Sequence, residues 1–276
     1  MNEPRNPPVL VGVDGSPSGD AATRWAAREA AYRGVPLELC HVFTPSSGHE
    51  PTREAGMRCL VRAEDIARQT VPGAPPVRLL QPGDPVEKLI ERSGSVAVIA
   101  VGAWGYGRGA NPFLGGVARA VAARSKAPVV VVRDQQPGTG PVVVGVDDSS
   151  DGTAALRFAA AAAAVRACPL IAVRAWYDLE DEAAGARMLA ESVEYLRQAW
   201  SGVLVRPRLV RERHRADGIL SASAGPRLIV VGSRRRCMRG RSILGITTHA
   251  ILDRARCPVA VVPALNRSRL PSPSVP

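Results

Sequence analysis

The sequence predicts two tandem α/β domains, each a doubly wound, five-stranded, mostly parallel sheet flanked by helices. Three observations lead there. The chain has 276 residues, room for two domains of about 100–150 residues with a core each. Short β-branched apolar runs alternate with longer helical patterns, the order produced by right-handed crossover connections. The chain also repeats itself: VGAWGYGRGANPFLGGVARAVAARSKAPVVVV from Val101 to Val132 matches VGSRRRCMRGRSILGITTHAILDRARCPVAVV from Val231 to Val262. At that constant offset Gly102 answers Gly232, Gly115 answers Gly245 and Pro128 answers Pro258. The starts of the halves agree too, VGVDGSPSGDAATRWAA from Val11 against VGVDDSSDGTAALRFAA from Val144. A period this long marks a duplicated domain rather than a solenoid unit.

In the first half, strands are expected at Val9–Asp14, Leu37–Phe43, Val77–Gln81, Val96–Val101 and Pro128–Val132. Their apolar runs of about five residues lack strict alternation, as in strands covered on both faces. Helical patterns lie between them, near Ser18–Arg33, Pro51–Gln69, Pro85–Arg92 and Leu114–Ser125. Ser16-Pro17-Ser18 ahead of Asp20 offers a cap and a first-turn proline, and Gly34 before Pro36 offers a stop. Asp84-Pro85-Val86-Glu87 combines a cap, a first-position proline and an acidic first turn. The second half repeats the plan, with strands at Pro141–Asp147, Leu170–Trp176, Val203–Val210, Arg227–Val231 and Pro258–Val262. Its helices are expected near Thr153–Ala167, Glu182–Trp200, Ala216–Ser223 and Leu244–Arg254. The Pro/Gly-rich stretch Gln135–Pro141 reads as a linker between domains 1–135 and 141–264. Residues 265–276 read as a disordered tail with little to bury.

Composition narrows the function classes. Aromatics are only 4% of the chain, so Val, Ala, Leu and Ile must fill the cores. The N-terminal MNEPRNPPV has no apolar h-region, and no stretch approaches the roughly 18 uninterrupted apolar residues of a membrane span. The expectation is a cytoplasmic protein with no membrane partner. Five cysteines, Cys40, Cys59, Cys168, Cys237 and Cys257, form no C-x-x-C pair, which fits reduced thiols rather than a disulfide framework or zinc site. Cys40 and Cys168 read as buried, inert thiols in apolar runs. His41, His49, His214 and His249 show no metal-ligand spacing, and His41 reads as a satisfied strand histidine. Asp147-Asp148 and Asp151 suit cap and turn duty more simply than a metal. There is no P-loop and no G-x-S-x-G.

Charge is unequal between the halves. Residues 1–136 carry 16 basic and 13 acidic side chains, residues 137–276 carry 20 and 12. Eleven arginines fall between Arg206 and Arg241, against Glu212 and Asp217. Such a stretch attracts anions or is a solvated face; both readings stand. Without interleaved aromatics or a recognised motif, nucleic acid is not an expected partner.

In an open parallel sheet, ligands collect at the carboxyl ends of strands where the connections reverse. Asp14 ends the first strand there. The segment from Gly102 to Gly116 follows the fourth strand and opens the fourth helix. Gly102, Gly105, Gly107 and Gly109 let backbone N–H groups approach an anion, and Gly115-Gly116 begins a helix whose free N–H groups favour phosphate. Tight turns alone would also account for glycines. The spacing Gly102-x2-Gly105-x9-Gly115, after V-G-V-D-G-S, resembles the universal stress protein family, whose motif reads G-x2-G-x9-G-[S/T]. His41-Val42 and Gly83-Asp84-Pro85 extend the resemblance, which covers roughly Val9–Val132 and Val142–Val262.

The resemblance implies Rossmann-like domains, a regulatory role in stress response, and ATP, alone or with Mg, as ligand. It implies that Asp14 contacts the adenosine moiety, the Val42 backbone meets the adenine edge, and Gly102, Gly105 and Gly115 line the phosphates. Gly116 stands where the motif has Ser or Thr. A hydrogen bond to a charged group is worth about 1.5–3 kcal/mol, so its loss weakens phosphate binding roughly ten- to hundredfold. The Gly116 N–H remains. In the second half Asp147, Gly232 and Gly245 match, but Arg235 replaces the second glycine and Ile246 the hydroxyl residue. ATP there is expected to bind weakly or not at all. Arg234-Arg235-Arg236 with Arg239 and Arg241 reads either as a guanidinium clamp for phosphates or as an exposed loop freed from constraint. Expected partners are therefore an adenine nucleotide and an unidentified protein. The family also has members without nucleotide that pair through their final strands. Val129–Val132 and Val259–Val262 could thus pair within the chain as a pseudo-dimer, or between chains as a homodimer. No general base is apparent, so no catalytic residue is assigned and ATP hydrolysis, if any, is expected to be slow.

Overall fold

A computed structural model describes residues 6–43, 51–73, 75–105, 114–134, 138–177, 181–233, 236–238 and 241–264. The chain divides into two units, Met1–Gln135 and Gln136–Pro276. The first contains β1 (Val9–Gly12), α1 (Pro17–Arg33), β2 (Leu37–Phe43), α2 (Pro51–Thr70), β3 (Val77–Pro82), α3 (Pro85–Arg92), β4 (Val98–Gly102), α4 (Gly116–Arg124) and β5 (Val129–Val132). Its strands run parallel in the order β3-β2-β1-β4-β5. The chain winds outward from β1 to β3, then returns to β4 on the other side of β1. The reversal between β1 and β4 opens a crevice at their carboxyl ends.

The second unit contains β6 (Val142–Gly145), α5 (Ser150–Val165), β7 (Leu170–Trp176), α6 (Glu182–Ala199), β8 (Val205–Arg211), α7 (Arg215–Leu220), β9 (Leu228–Gly232), β10 (Arg236–Met238), β11 (Arg241–Ile243), α8 (Ile246–Arg254) and β12 (Val259–Val262). Its parallel strands follow the order β12-β9-β6-β7-β8. Each unit is thus a five-stranded sheet flanked by helices.

The cores are built from short side chains. Leu10, Val11, Ile99, Ala100 and Val130 in the first unit have no exposed surface, and Val143, Ala155, Ala159, Ala160 and Ala163 have none in the second. Alanine lets α5 lie close on its sheet, which explains the Ala-rich run without a membrane. Among the described residues no helix is long and apolar enough to cross one.

Sequence signals set the helix ends. Ser16 caps α1 by accepting from Gly19 N at 3.1 Å, and Gly34 closes it in a left-handed conformation at φ 63. Asp84 caps α3, accepting from Val86 N at 2.9 Å and Glu87 N at 3.1 Å. In the second unit His214 takes that position without a side-chain cap bond. The helix that follows has six residues, where Pro85–Arg92 has eight and Ala216–Ser223 was expected. Cys168 is half-buried and precedes β7, so it is not a buried strand thiol as expected. The Arg-rich segment after β9 is not simply a loop: β10 and β11 form an antiparallel hairpin pairing Arg236 with Ile243 and Met238 with Arg241. The expected linker core at 135–137 and tail at 265–276 lie outside the described residues.

Candidate functional site

The site in the first unit begins with the turn from β1 into α1. Asp14 Oδ1 accepts from Ser16 N at 3.0 Å and from the Ser16 hydroxyl at 2.6 Å. The carboxylate packs against α1 so closely that a Cβ on Gly19 would lie 2.5 Å from Oδ1. The other oxygen, Oδ2, faces Gly105, where an added Cβ would come within 2.9 Å. Across the crevice, the Trp104 carbonyl accepts from the Ser18 hydroxyl, with the Ser16 hydroxyl 3.2 Å away. The first turn of α1 thereby fixes where the chain leaves β4. Gly102 permits this approach: its Cβ would lie 2.6 Å from Ser18 Oγ and 2.8 Å from Gly19 N.

A cleft of about 290 Å³ opens here. Asp14, Val42, Gly102, Gly105, Gly115 and Gly116, six residues singled out in the sequence, all line it. Gly107 and Gly109 lie outside the described residues. Gly115 is the N-cap of α4, with no side-chain cap bond and no acidic residue in the first turn. Its own N–H is taken by Ala103 O at 2.7 Å. The next N–H groups belong to the orphan set of a helix start, and the first turn of α4 carries no acidic side chain to offset the helix dipole. A Cβ on Gly116 would meet no atom within 4 Å, so the space beside this helix start is open.

On the opposite wall, β2 outruns β1. The last register pair is Gly12 with Cys40. The Cys40 carbonyl accepts from Val13 N, whereas the Phe43 carbonyl accepts from Gly83 N on the other side. Alternation along the strand turns the Val42 backbone groups to the β1 side, past the end of that pairing. They form a strand edge facing the cleft. His41 Nδ1 lies 2.7 Å from Val13 O, the satisfied strand histidine expected from its position. Pro85 and Leu89 of α3 supply apolar lining. Cys40 also lines the cleft, and burial pushes its thiol up to about 11, outweighing the Arg92 charge that lowers it. Burial and then the Asp14 charge also raise the Cys59 thiol. Neither is a ready nucleophile at neutral pH.

Trp104 and Arg133 were not foreseen. Trp104 lines the cleft, and the Arg133 guanidinium carbon sits 4.7 Å from its ring centroid. The one available sequence signal was a tryptophan between two motif glycines in a chain poor in aromatics.

The second unit keeps the turn and changes the mouth. Asp147 Oδ1 accepts from Ser149 N at 2.9 Å and from the Ser149 hydroxyl, and Gly152 N bonds Ser149 Oγ at 3.0 Å. Gly245 caps α8 as Gly115 caps α4, and its N–H bonds Ser233 O at 3.2 Å. Two hydroxyls near this helix start are turned inward: Ser233 donates to Asp151 Oδ2 at 2.5 Å, and Thr248 donates to Gly232 O at 2.8 Å. Ile246 stands 85% exposed where phosphate would meet the helix. A separate depression of about 430 Å³ lies between Asp147, Asp148 and Thr153 and the α6 residues Arg187 and Glu191, and none of Gly232, Gly245 or Ile246 lines it. Arg234, Arg235 and Arg239 lie outside the described residues. Among the described residues no group of three His, Cys, Asp or Glu side chains could hold a metal ion.

These features agree with what the chain is similar to. A family model described as the universal stress protein family matches residues 6–133 and 139–263. Universal stress protein Rv2005c of Mycobacterium tuberculosis is 32% identical over 294 residues, covering 95% of this chain and 99% of its own. A universal stress protein structure from Archaeoglobus fulgidus superposes with TM-score 0.73 at 20% identity, covering 95% of this chain and 98% of that one. A universal stress protein solved in complex with cAMP is 27% identical and covers 47% of this chain and 98% of its own, with TM-score 0.40. With two matched segments that together span most of its length, the chain belongs to the universal stress protein family and carries two tandem domains of it.

Proposed function

We propose that the cleft of the first unit binds an adenine nucleotide, ATP in the first instance, and that the chain acts as a regulatory module read through occupancy of that cleft. The observation behind this is the joint lining of one crevice by a carboxylate, a strand edge and an uncapped helix start. Each suits a different part of a nucleotide. The Val42 backbone would pair with the adenine edge. Asp14 Oδ2, on the carboxylate oxygen turned away from Ser16, would accept from a ribose hydroxyl. The N–H groups of Gly116 and its successors, with Gly105 allowing close approach, would take the phosphates. Mg would arrive on the phosphates. The second unit, with its exposed Ile246 and inward-turned hydroxyls, would bind nucleotide weakly or not at all.

The test is direct. Protein denatured as purified should release ATP, ADP or AMP into the supernatant, read by mass spectrometry, and stripped protein should bind ATP by calorimetry at about one site per chain. Gly105→Val places a branched side chain against the Asp14 carboxylate and should abolish binding while the fold persists. Nucleotide-free protein that shows no binding at millimolar ATP overturns the proposal.

A further inference from the structure

We infer that His41 is a positioning residue for base recognition: its ring takes the Val13 carbonyl and so leaves the Val42 N–H open to the cleft. This rests on the nucleotide reading above. In a parallel ladder a residue donates to the residue before its partner and accepts from the residue after it. The register of β1 and β2 ends at the pair Gly12 and Cys40. Val13 starts the next step, with its N–H on Cys40 O at 2.8 Å. A continuing ladder would place Val42 N on the Val13 carbonyl, and among the described residues Val42 N makes no such bond. That carbonyl has His41 Nδ1 at 2.7 Å instead. A carbonyl only accepts, so Nδ1 carries the proton and donates. A side chain thus ends the ladder one bond early. The donor it displaces belongs to the residue whose backbone would meet the base.

The ring is held in place for this. His41 and Val42 both line the cleft, and α2 covers the ring so closely that a Cβ on Gly56 would lie 2.5 Å from Cδ2 and 3.0 Å from Nε2. Val13 is tied to β2 through both its N–H and its carbonyl, so Asp14 leaves from a fixed point, and its Oδ1 is held by Ser16. One ring therefore sets both the open N–H at Val42 and its span to Asp14. The second unit has the same step with other chemistry. Val146 N bonds Val173 O at 2.8 Å, and Arg174 Nη1 reaches Val146 O only at 3.4 Å. Its cover is looser too, with a Cβ on Gly185 3.9 Å from Arg174 Nε. A side-chain donor before the aspartate is common to both units; a short bond from a ring lining the cleft belongs to the first.

His41→Leu removes the donor and leaves the carbonyl of Val13, a residue 5% exposed, without its partner. Ladder geometry offers Val42 N–H as the replacement, which takes it from the base. On the full chain stripped of nucleotide, NMR hydrogen exchange should find the Val42 amide exchanging quickly in the wild type and about tenfold or more slower in His41→Leu. Calorimetry should show adenosine and ATP weakened by the same factor, about tenfold, because the loss lies at the base end. His41→Asn, whose amide nitrogen stands as far from Cβ as Nδ1 does, should keep fast Val42 exchange and affinity within about threefold. If the Leu variant fails to fold, His41→Met serves, since it too removes the donor. A Val42 amide that stays unprotected in the donorless variant would assign His41 a packing role only and overturn the inference, as would an Asn variant as weak as the Leu one. Wild-type protein that binds ATP while its ligand-free Val42 amide is already protected overturns the inference but leaves the nucleotide reading standing. Wild-type protein that binds neither ligand overturns both.

Discussion

On the proposed reading, in which phosphates sit at the start of α4, Gly116→Ser should tighten ATP binding. The position opens α4 directly after its N-cap, and its φ is not among the left-handed glycine values. A Cβ there meets nothing within 4 Å, so the serine enters without displacing a neighbour. Its hydroxyl would stand beside the free N–H groups of the helix start and donate to a phosphate oxygen. Such a bond to a charged group contributes about 1.5–3 kcal/mol, less about 0.5 kcal/mol for fixing the serine rotamer. The net of about 1–2.5 kcal/mol corresponds to roughly five- to seventyfold tighter ATP. Adenosine, which has no phosphate, should bind as before. Serine is no worse than glycine at the start of a helix, so the ligand-free thermal midpoint should hold or rise slightly. Calorimetry with both ligands reads the outcome. A folded variant whose ATP affinity is unchanged or reduced would refute the placement of phosphate at this helix.

Two further predictions separate scaffold from site. Gly102→Ala drives a Cβ against the backbone N of Gly19 at 2.8 Å and the Ser18 hydroxyl. It should cost about 1–3 kcal/mol in chemical denaturation, the range for overpacking. Exposed Gly105→Ala should cost under about 0.5 kcal/mol yet weaken ATP, because its Cβ falls 2.9 Å from Asp14 Oδ2. For Cys40, with its thiol pushed up to about 11 by burial, alkylation followed by mass spectrometry should be negligible at pH 8 and rise only as pH nears 11. The sign for stability follows: the folded state prefers the protonated thiol, so this contribution is complete below the ordinary value of 9.0 and lost as pH climbs toward 11. Alkylation as fast as in the unfolded chain at pH 8 would contradict the burial.

What was legible in the sequence follows the range of the interaction. Caps and stops act within a few residues, so Ser16, Gly34 and Asp84 could be read as helix ends and are found as such. Strands Leu37–Phe43 and Leu170–Trp176, and helix Pro85–Arg92, have the bounds their apolar runs and caps indicated. The glycine spacing located the cleft because it constrains backbone, which sequence displays directly. The hydrogen bond from Ser18 to the Trp104 carbonyl spans 86 residues. No local pattern announces it, nor the stacking of Arg133 on Trp104. Hairpin β10–β11 was missed for another reason. Its strands of three residues carry arginines and a methionine, without the β-branched alternation that signals a strand.

Comparing the two units also changes what the matching residues mean. The turn of Asp14, Ser16 and Gly19 recurs as Asp147, Ser149 and Gly152, with the serine N–H to carboxylate distance 3.0 Å in one and 2.9 Å in the other. Gly102 and Gly232 both meet the first turn of their unit's first helix, with Cβ positions 2.6 Å from Ser18 Oγ in α1 and 2.9 Å from Asp151 Cβ in α5. These residues are required by the strand-to-helix junction whether or not a ligand is present. Asp147 and Gly232 are therefore explained by packing, and their survival says nothing of nucleotide in the second unit. The informative positions lie outside that shared junction: Gly105 and Gly116 against Arg235 and Ile246. At each of these the halves differ. The junction is the same in both copies, while residues outside it differ. Under the proposed function, the difference between the units would be carried by a few side chains at the mouth of the cleft, where substitution should alter binding with little effect on the sheet beneath.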